Sequence, residues 1–244
     1  MALESERKIL VINPNTTQAM TDAVKHLISS LQYSTTYEYF TAPSGVPSIN
    51  NEDDAVVSAS HCLPALEDKL SKYNAFLVCC YSHHPLVSLL RSALNDQNLH
   101  ATVTGIFEAS VAISLQSINI DEKFGIVSTG SQWEGILGEA VSELLGSSSS
   151  TRYAGTETTG LNANELHSAP EAEVARRMKE ATKRLLDKRA VAICLGCAGM
   201  AGMNRTVREA CVEQLGEQAG QRVKIVDGVV AGSIFLEGAL RAGL

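Results

Sequence analysis

Nowhere in these 244 residues is there an apolar run approaching the roughly 20 residues that a membrane-crossing helix needs. Positive charge is also scarce, with 20 Lys and Arg against 27 Asp and Glu and a formal net charge of −7. Charges of both signs are spread along the chain, so no basic stripe is present to hold a phosphate backbone or anionic lipid. That excludes nucleic acid and membrane partners and leaves a small molecule as the expected partner, with a homo-oligomer left open. The opening MALESERKIL carries no apolar segment of signal-peptide length, so a cytoplasmic location is expected. The six cysteines are Cys62, Cys79, Cys80, Cys194, Cys197 and Cys211, expected to be thiols in a reducing compartment. Cys194-x-x-Cys197 fits a redox pair or half a zinc site, but there is no second such pair and no histidine pair at ligand spacing. No metal and no cofactor is therefore expected.

What is present is a 45% hydrophobic chain in which short apolar runs alternate with amphipathic stretches of helical length. That alternation predicts strands joined by crossover helices in a mainly parallel sheet. Expected strands are Lys8–Ile12, Ala75–Cys79, Ala101–Phe107, Phe124–Ser128, Val191–Leu195 and Val223–Val226. Helices are expected over Thr17–Leu31, Asp53–Leu70, His84–Leu94, Gln132–Leu145, Pro170–Lys188 and Asn204–Gln218, with Thr17 and Ser131 as N-caps. Ser147–Thr151 reads as a polar loop.

The two halves echo one another. Lys8-Ile-Leu-Val-Ile-Asn-Pro opens the first and Phe124-Gly-Ile-Val-Ser-Thr-Gly the second, and each half later has a strand ending in cysteine and followed by a helix. The expected fold is α/β, with two pseudo-symmetric lobes of mainly parallel sheet flanked by helices and an active site in the cleft between them. Residues 1–104 with 219–244 would form the lobe carrying Cys80, and 105–218 the lobe carrying Cys197.

Ligands of open parallel sheets bind beyond the carboxyl ends of the strands, where helix N-termini offer free N–H groups. Cys80 and Cys197 are both predicted there, one on each side of the cleft. Cys79 and Cys80 should point to opposite sides of their strand, Cys79 into the core and Cys80 into the cleft. Both could instead be packing residues, because free cysteine behaves as a small buried hydrophobe. The second motif weighs against that reading. Leu195-Gly-Cys-Ala-Gly-Met200 sets Cys197 among small residues that let backbone approach a ligand and cradle developing negative charge. Near a helix N-terminus the thiol pKa is expected to fall from about 8.5 toward neutral, giving one thiolate base and one thiol acid. His83 and His84 could be ligands, general acids or ordinary loop residues. Val11-Ile-Asn-Pro-Asn-Thr-Thr17 and Ser128-Thr-Gly130 could bind a polar ligand or serve as turn and cap residues.

Together these stretches resemble the hydantoin racemase family, which includes allantoin racemases and belongs to the wider aspartate/glutamate racemase superfamily. The resemblance runs through Ile9-Leu-Val-Ile-Asn-Pro-Asn-Thr16, Pro47-Ser-Ile49, Cys80-Tyr-Ser82, Gly105-Ile-Phe-Glu-Ala109, Phe124-Gly-Ile-Val-Ser-Thr129, Leu195-Gly-Cys-Ala-Gly-Met200 and Val226-Asp-Gly-Val229. It implies that Cys80 and Cys197 are the catalytic acid/base pair. By position it implies that Asn13, Ile49, Tyr81, Ser82, His83, Ser128 and Thr129 line the pocket, with backbone contacts around Gly196, Ala198 and Gly199. Relatives acting on free aspartate or glutamate follow the first cysteine with Asn-Thr and the second with Thr. Here Tyr81-Ser82 and Ala198-Gly199 stand instead, which fits a neutral heterocycle such as allantoin or a 5-substituted hydantoin. The family usually has aspartate at the place of His83, followed directly by proline, whereas here His84 precedes Pro85. The rival readings are an amino-acid racemase, a maleate-type isomerase or a decarboxylase on the same scaffold, and a non-catalytic ligand-binding relative.

Overall fold

Ile9, Leu10, Val11 and Ile12 are all buried, as in a strand covered on both faces. This strand, β1 (Lys8–Asn13), sits at the centre of the first of two sheets in a computed structural model that describes residues 7–244. The first six residues of the expected first lobe, and most of MALESERKIL, lie outside the described residues.

In the first sheet β1 pairs in parallel with β2 (Thr36–Thr41) and β3 (Ala75–Val78), and β3 pairs with β4 (Thr102–Gly105), in the order β2-β1-β3-β4. In the second, β5 (Lys123–Ser128) pairs with β6 (Tyr153–Thr158) and β7 (Ala190–Leu195), and β7 with β8 (Lys224–Asp227), in the order β6-β5-β7-β8. The internal echo is thus a repeated strand order, all parallel. Along the chain run α1 (Gln18–Ser30), α2 (Glu52–Leu66), α3 (Pro85–Asp96), α4 (Ile106–Ser117), α5 (Trp133–Leu145), α6 (Glu165–Ser168), α7 (Glu171–Asp187), α8 (Asn204–Leu215), α9 (Glu217–Arg222) and α10 (Gly228–Ala242). No helix among the described residues is long and apolar enough to cross a membrane.

Three groups of buried side chains hold these layers. One lies outside the first sheet around Leu66, Phe76 and Leu90, and a second outside the second sheet around Met178, Leu185 and Val207. The third joins the sheets and is built largely on α4 and α10, through Ile106, Phe107, Val111, Val229 and Leu236.

Several expectations are corrected. Strands β2 and β6 were not anticipated because each is an edge strand whose first residues are only half buried, so neither needs an apolar run. The expected strand Ala101–Phe107 stops at Gly105, which caps α4. Helices α4 and α10 were also missed; buried on most sides, they show little amphipathic contrast. The strand near residue 224 pairs with β7, so β8 belongs to the second sheet, not to the first lobe in which residues 219–244 were placed. Only α10 returns to the first sheet, packing on β3, β4 and α1. Thr17 stands at the N-cap of α1 as expected, but its hydroxyl donates to the Pro47 carbonyl at 2.7 Å instead of to the helix; for α5 the N-cap is Gln132, one residue past the expected Ser131.

Candidate active site

Strands β3 and β7 hold equivalent places, third in the order of their sheets. Each candidate cysteine lies two residues past its strand: Val78 ends β3 before Cys79 and Cys80, and Leu195 ends β7 before Gly196 and Cys197. Cys80 and Cys197 line one small cavity of about 40 Å³. Cys79 is held in the ladder by its backbone N–H on the Ile12 carbonyl at 2.8 Å and is 3% exposed, packed in the core as expected, yet it also lines the cavity, which the assignment to opposite sides did not foresee. Cys194 is fully buried against α4, with its sulphur 3.1 Å from the Ser114 hydroxyl, so the Cys194-x-x-Cys197 pair does not converge on the cavity. Among the described residues all six cysteines are free thiols, and no three His, Cys, Asp or Glu side chains gather as a metal site.

The arm carrying Cys197 depends on the absence of a side chain at Gly196. A Cβ there would stand 2.7 Å from the Val127 carbonyl oxygen and 2.6 Å from Ile126 Cγ2. The Gly196 N–H donates to that same carbonyl at 2.7 Å, and the Ser128 hydroxyl donates to the Gly196 carbonyl at 2.9 Å. Beyond it, the Gly199 N–H points at the Cys197 sulphur at 3.3 Å.

The remaining expected residues separate into two groups. Ile49, Tyr81, Thr129, Gly196, Ala198 and Gly199 line the cavity. Tyr81 does so with its hydroxyl turned away, 2.7 Å from the Ser110 hydroxyl on α4. Asn13 and Ser128 lie behind the cavity as supports. The Asn13 amide donates to Asn15 Oδ1 and Thr21 Oγ1, and it is Asn15 that reaches the cavity. Ser82 touches the Cys80 sulphur at 3.5 Å but lines an adjacent chamber, as does His83, whose Nδ1 lies 3.0 Å from Glu143 Oε2. His84 is buried and accepts from the Leu86 N–H at 3.2 Å, which makes it the N-cap of α3 ahead of Pro85. The altered loop is therefore a helix cap. Burial lowers the His84 pKa to about 4.

Asn15, Met20, Ser48, Trp133 and Ala163 also line the cavity and were not singled out. Asn15 and Ser48 lie inside stretches already noted, and Trp133 is the sole tryptophan. Met20 and Ala163 carry no sequence signal.

The expectation of acidified thiols is overturned. Burial pushes Cys80 up to about 12, with the charges of Cys197 and Glu108 adding to the rise and the Ser82 hydroxyl opposing it. Burial likewise pushes Cys197 up to about 11 against the backbone N–H groups of Gly199 and Met200. The helix N-terminal field is missing because α3 begins only at Pro85 and Cys197 leads into a three-residue turn. Glu108 is itself raised by burial.

Residues 9–233 match the Asp/Glu/Hydantoin racemase family. The chain belongs to this family. It is thereby an isomerase of the racemase kind. A Schizosaccharomyces pombe protein is 35% identical over 240 residues, covering 97% of this chain and 93% of its own length. A hydantoin racemase from a Pseudomonas species is 28% identical over 243 residues, covering 94% of this chain and 84% of its own length. The crystal structure of allantoin racemase from Pseudomonas fluorescens superposes with a TM-score of 0.79 at 22% identity, covering 97% of this chain and 92% of that one, which shows a shared fold. Two parallel four-stranded sheets flanked by helices are thus the family's architecture in this chain.

Proposed function

We propose that this family member is a cofactor-independent racemase of a hydantoin-type substrate, allantoin or a 5-substituted hydantoin, working in the cytoplasm with Cys80 and Cys197 as its two acid/base groups. The observation that supports it best is that two thiols, carried at equivalent points of two repeated sheets, line a single cavity. A hydrogen on a carbon next to a carbonyl, set between them, meets a sulphur on each side. One thiolate takes that proton, the electron pair moves onto the carbonyl oxygen as an enolate, and the opposite thiol returns its proton to the other face. Donors aimed at the oxygen lower this barrier by roughly 3 kcal/mol each. Backbone around Gly196, Ala198 and Gly199 and the side chains of Asn15, Ser48 and Thr129 are at hand for this.

The cavity lining contains no Lys or Arg, so it offers no cation for a free carboxylate. That favours a neutral ring over an amino acid or an unsaturated diacid. Chiral chromatography of allantoin and several hydantoins with purified protein and EDTA tests the reading, and activity lost to EDTA and restored by zinc would overturn it. Each single Cys→Ser variant should stop racemisation while still exchanging hydrogen for deuterium in one enantiomer, since a serine hydroxyl is too weak an acid and base near neutral pH. Full racemisation by either variant would remove the replaced cysteine from the pair.

A further inference from the structure

Beside the catalytic cavity lies a chamber of about 290 Å³. Trp133 is the one residue that lines both spaces, and Ser82 connects the chamber to the Cys80 sulphur. The catalytic cavity, at about 40 Å³, has room for only a few water molecules. A five-membered ring with a side chain needs more room than this, and Trp133, 6% exposed, is the wall shared with the chamber.

The chamber has a distinct chemistry. Ala55, Val56, Ile136 and Ala140 give it an apolar floor. Three carboxylates, Glu52, Glu139 and Glu143, line it with no Lys or Arg among them. Glu143 is engaged by His83, but neither Glu52 nor Glu139 has an ion-pair partner among the described residues.

We propose that this chamber receives the substituent on the substrate's stereogenic carbon, and that it favours an extended apolar chain ending in an amino or guanidinium cation over one ending in a carboxylate. The inference rests on the hydantoin reading above. Methylenes of such a chain cover the apolar floor, while its charged end stays at the wet, acidic rim.

The test compares the hydantoins derived from lysine, glutamine and glutamate, following racemisation by polarimetry and affinity by calorimetry. The expected order is lysine-derived, then glutamine-derived, then glutamate-derived, with roughly tenfold between the extremes, as three exposed carboxylates acting together give. In Glu52→Gln/Glu139→Gln the ratio of the extremes should shrink roughly three- to tenfold, and Glu139→Lys should move it further toward the anionic ligand. Both positions are exposed, so these variants should keep the fold. Equal affinities for the three ligands, or a ratio unmoved in both variants, overturns the chamber assignment while racemisation persists. If none of the three is racemised but charge-dependent binding remains and both variants weaken it, the racemase reading falls and the assignment stands. If none binds, both fall.

Discussion

Alkylation by iodoacetamide reports thiolate, and the surroundings of the two cysteines set its expected rate. A thiol is charged only when deprotonated, so taking it out of water favours the neutral form and raises its pKa. An ordinary thiol near 8.5 is about one-quarter ionised at pH 8, whereas Cys197, raised to about 11, is ionised in about one molecule in a thousand, and Cys80, at about 12, in about one in ten thousand. Labelling of Cys197 at pH 8 should therefore run roughly 200-fold slower than that of a free thiol and about tenfold faster than that of Cys80. Both rates should climb about tenfold per pH unit between pH 7 and 10 with no plateau. Cys62 and Cys211 are fully buried and serve as internal controls that remain unlabelled in the folded protein. The assay is a labelling time course at several pH values, read by intact mass and peptide mapping. A plateau below about pH 9 would mean that one thiol is already ionised in the unliganded protein, and Cys80 labelled ahead of Cys197 would reverse the order; either result refutes the reasoning.

Other perturbations act on the supports of the site. Gly196→Ala forces a methyl group against the Val127 carbonyl, where backbone cannot readily yield, and should cost about 3 kcal/mol by urea unfolding together with most of the activity. A loss below about 0.5 kcal/mol would show that the arm is slack. Ser128→Ala removes the bond to the Gly196 carbonyl, and should cost about 1 kcal/mol and change the labelling rate of Cys197 while leaving that of Cys80 alone. Far from the cavity, Glu237 on α10 is 3% exposed and accepts from the hydroxyls of Tyr37 on β2 and of Thr35 just before it while pairing with Arg241. Glu237→Ala leaves these donors without their acceptor, and should destabilise by about 3 kcal/mol with kcat retained in whatever protein remains folded; an unchanged urea midpoint would contradict this.

Of the eight strands among the described residues, six were legible because they are written as short apolar runs, Ile9 to Ile12 being the plainest, and this holds even for β4 and β8, which end their sheets. Strands β2 and β6 were not, since Thr36-Tyr-Glu-Tyr-Phe-Thr41 and Tyr153-Ala-Gly-Thr-Glu-Thr158 lie at edges and need only partial burial. Helices α4 and α10 failed for the opposite reason: placed between the sheets, they have little polar face to give a period. In the site, the two cysteines and the small residues around Cys197 were readable from local chemistry and spacing. Asn13 and Ser128 carried the right polar character, yet only the fold reveals that they hold the backbone of the site from behind. Trp133 reaches the cavity because β5 and α5 bring it there, and no local pattern encodes that approach. The thiol pKa values were misjudged because helix N-termini were placed too near the sulphurs, while the closeness of the cavity's walls was invisible.

The unequal surroundings of the two thiols bear directly on the proposed reaction, which needs one base and one acid at the same moment. Cys197 has the Gly199 N–H on its sulphur, with the nearby Met200 N–H also favouring its charge, and loses its proton first; Cys80 has a single hydroxyl to help it and the carboxylate of Glu108 to oppose it. A charge on Cys197 also raises Cys80 further, so the first ionisation holds the second thiol protonated. Two identical, independent thiols would have no such bias and at high pH would both become bases, leaving nothing to return the proton. The difference between the arms, Gly199 and Met200 behind one sulphur and Ser82 beside the other, thus works toward the singly ionised pair. An enantiomer that presents its hydrogen to Cys197 meets the readier base, whereas its mirror image depends on moving the charge to Cys80. The two singly ionised forms hold the same number of protons, so their ratio does not change with pH, and the rising limbs for the two enantiomers should coincide on the first ionisation of the pair. Initial rates from each pure enantiomer across pH 7 to 11 test this, and limbs separated by about a pH unit would show that each direction depends on its own independent ionisation.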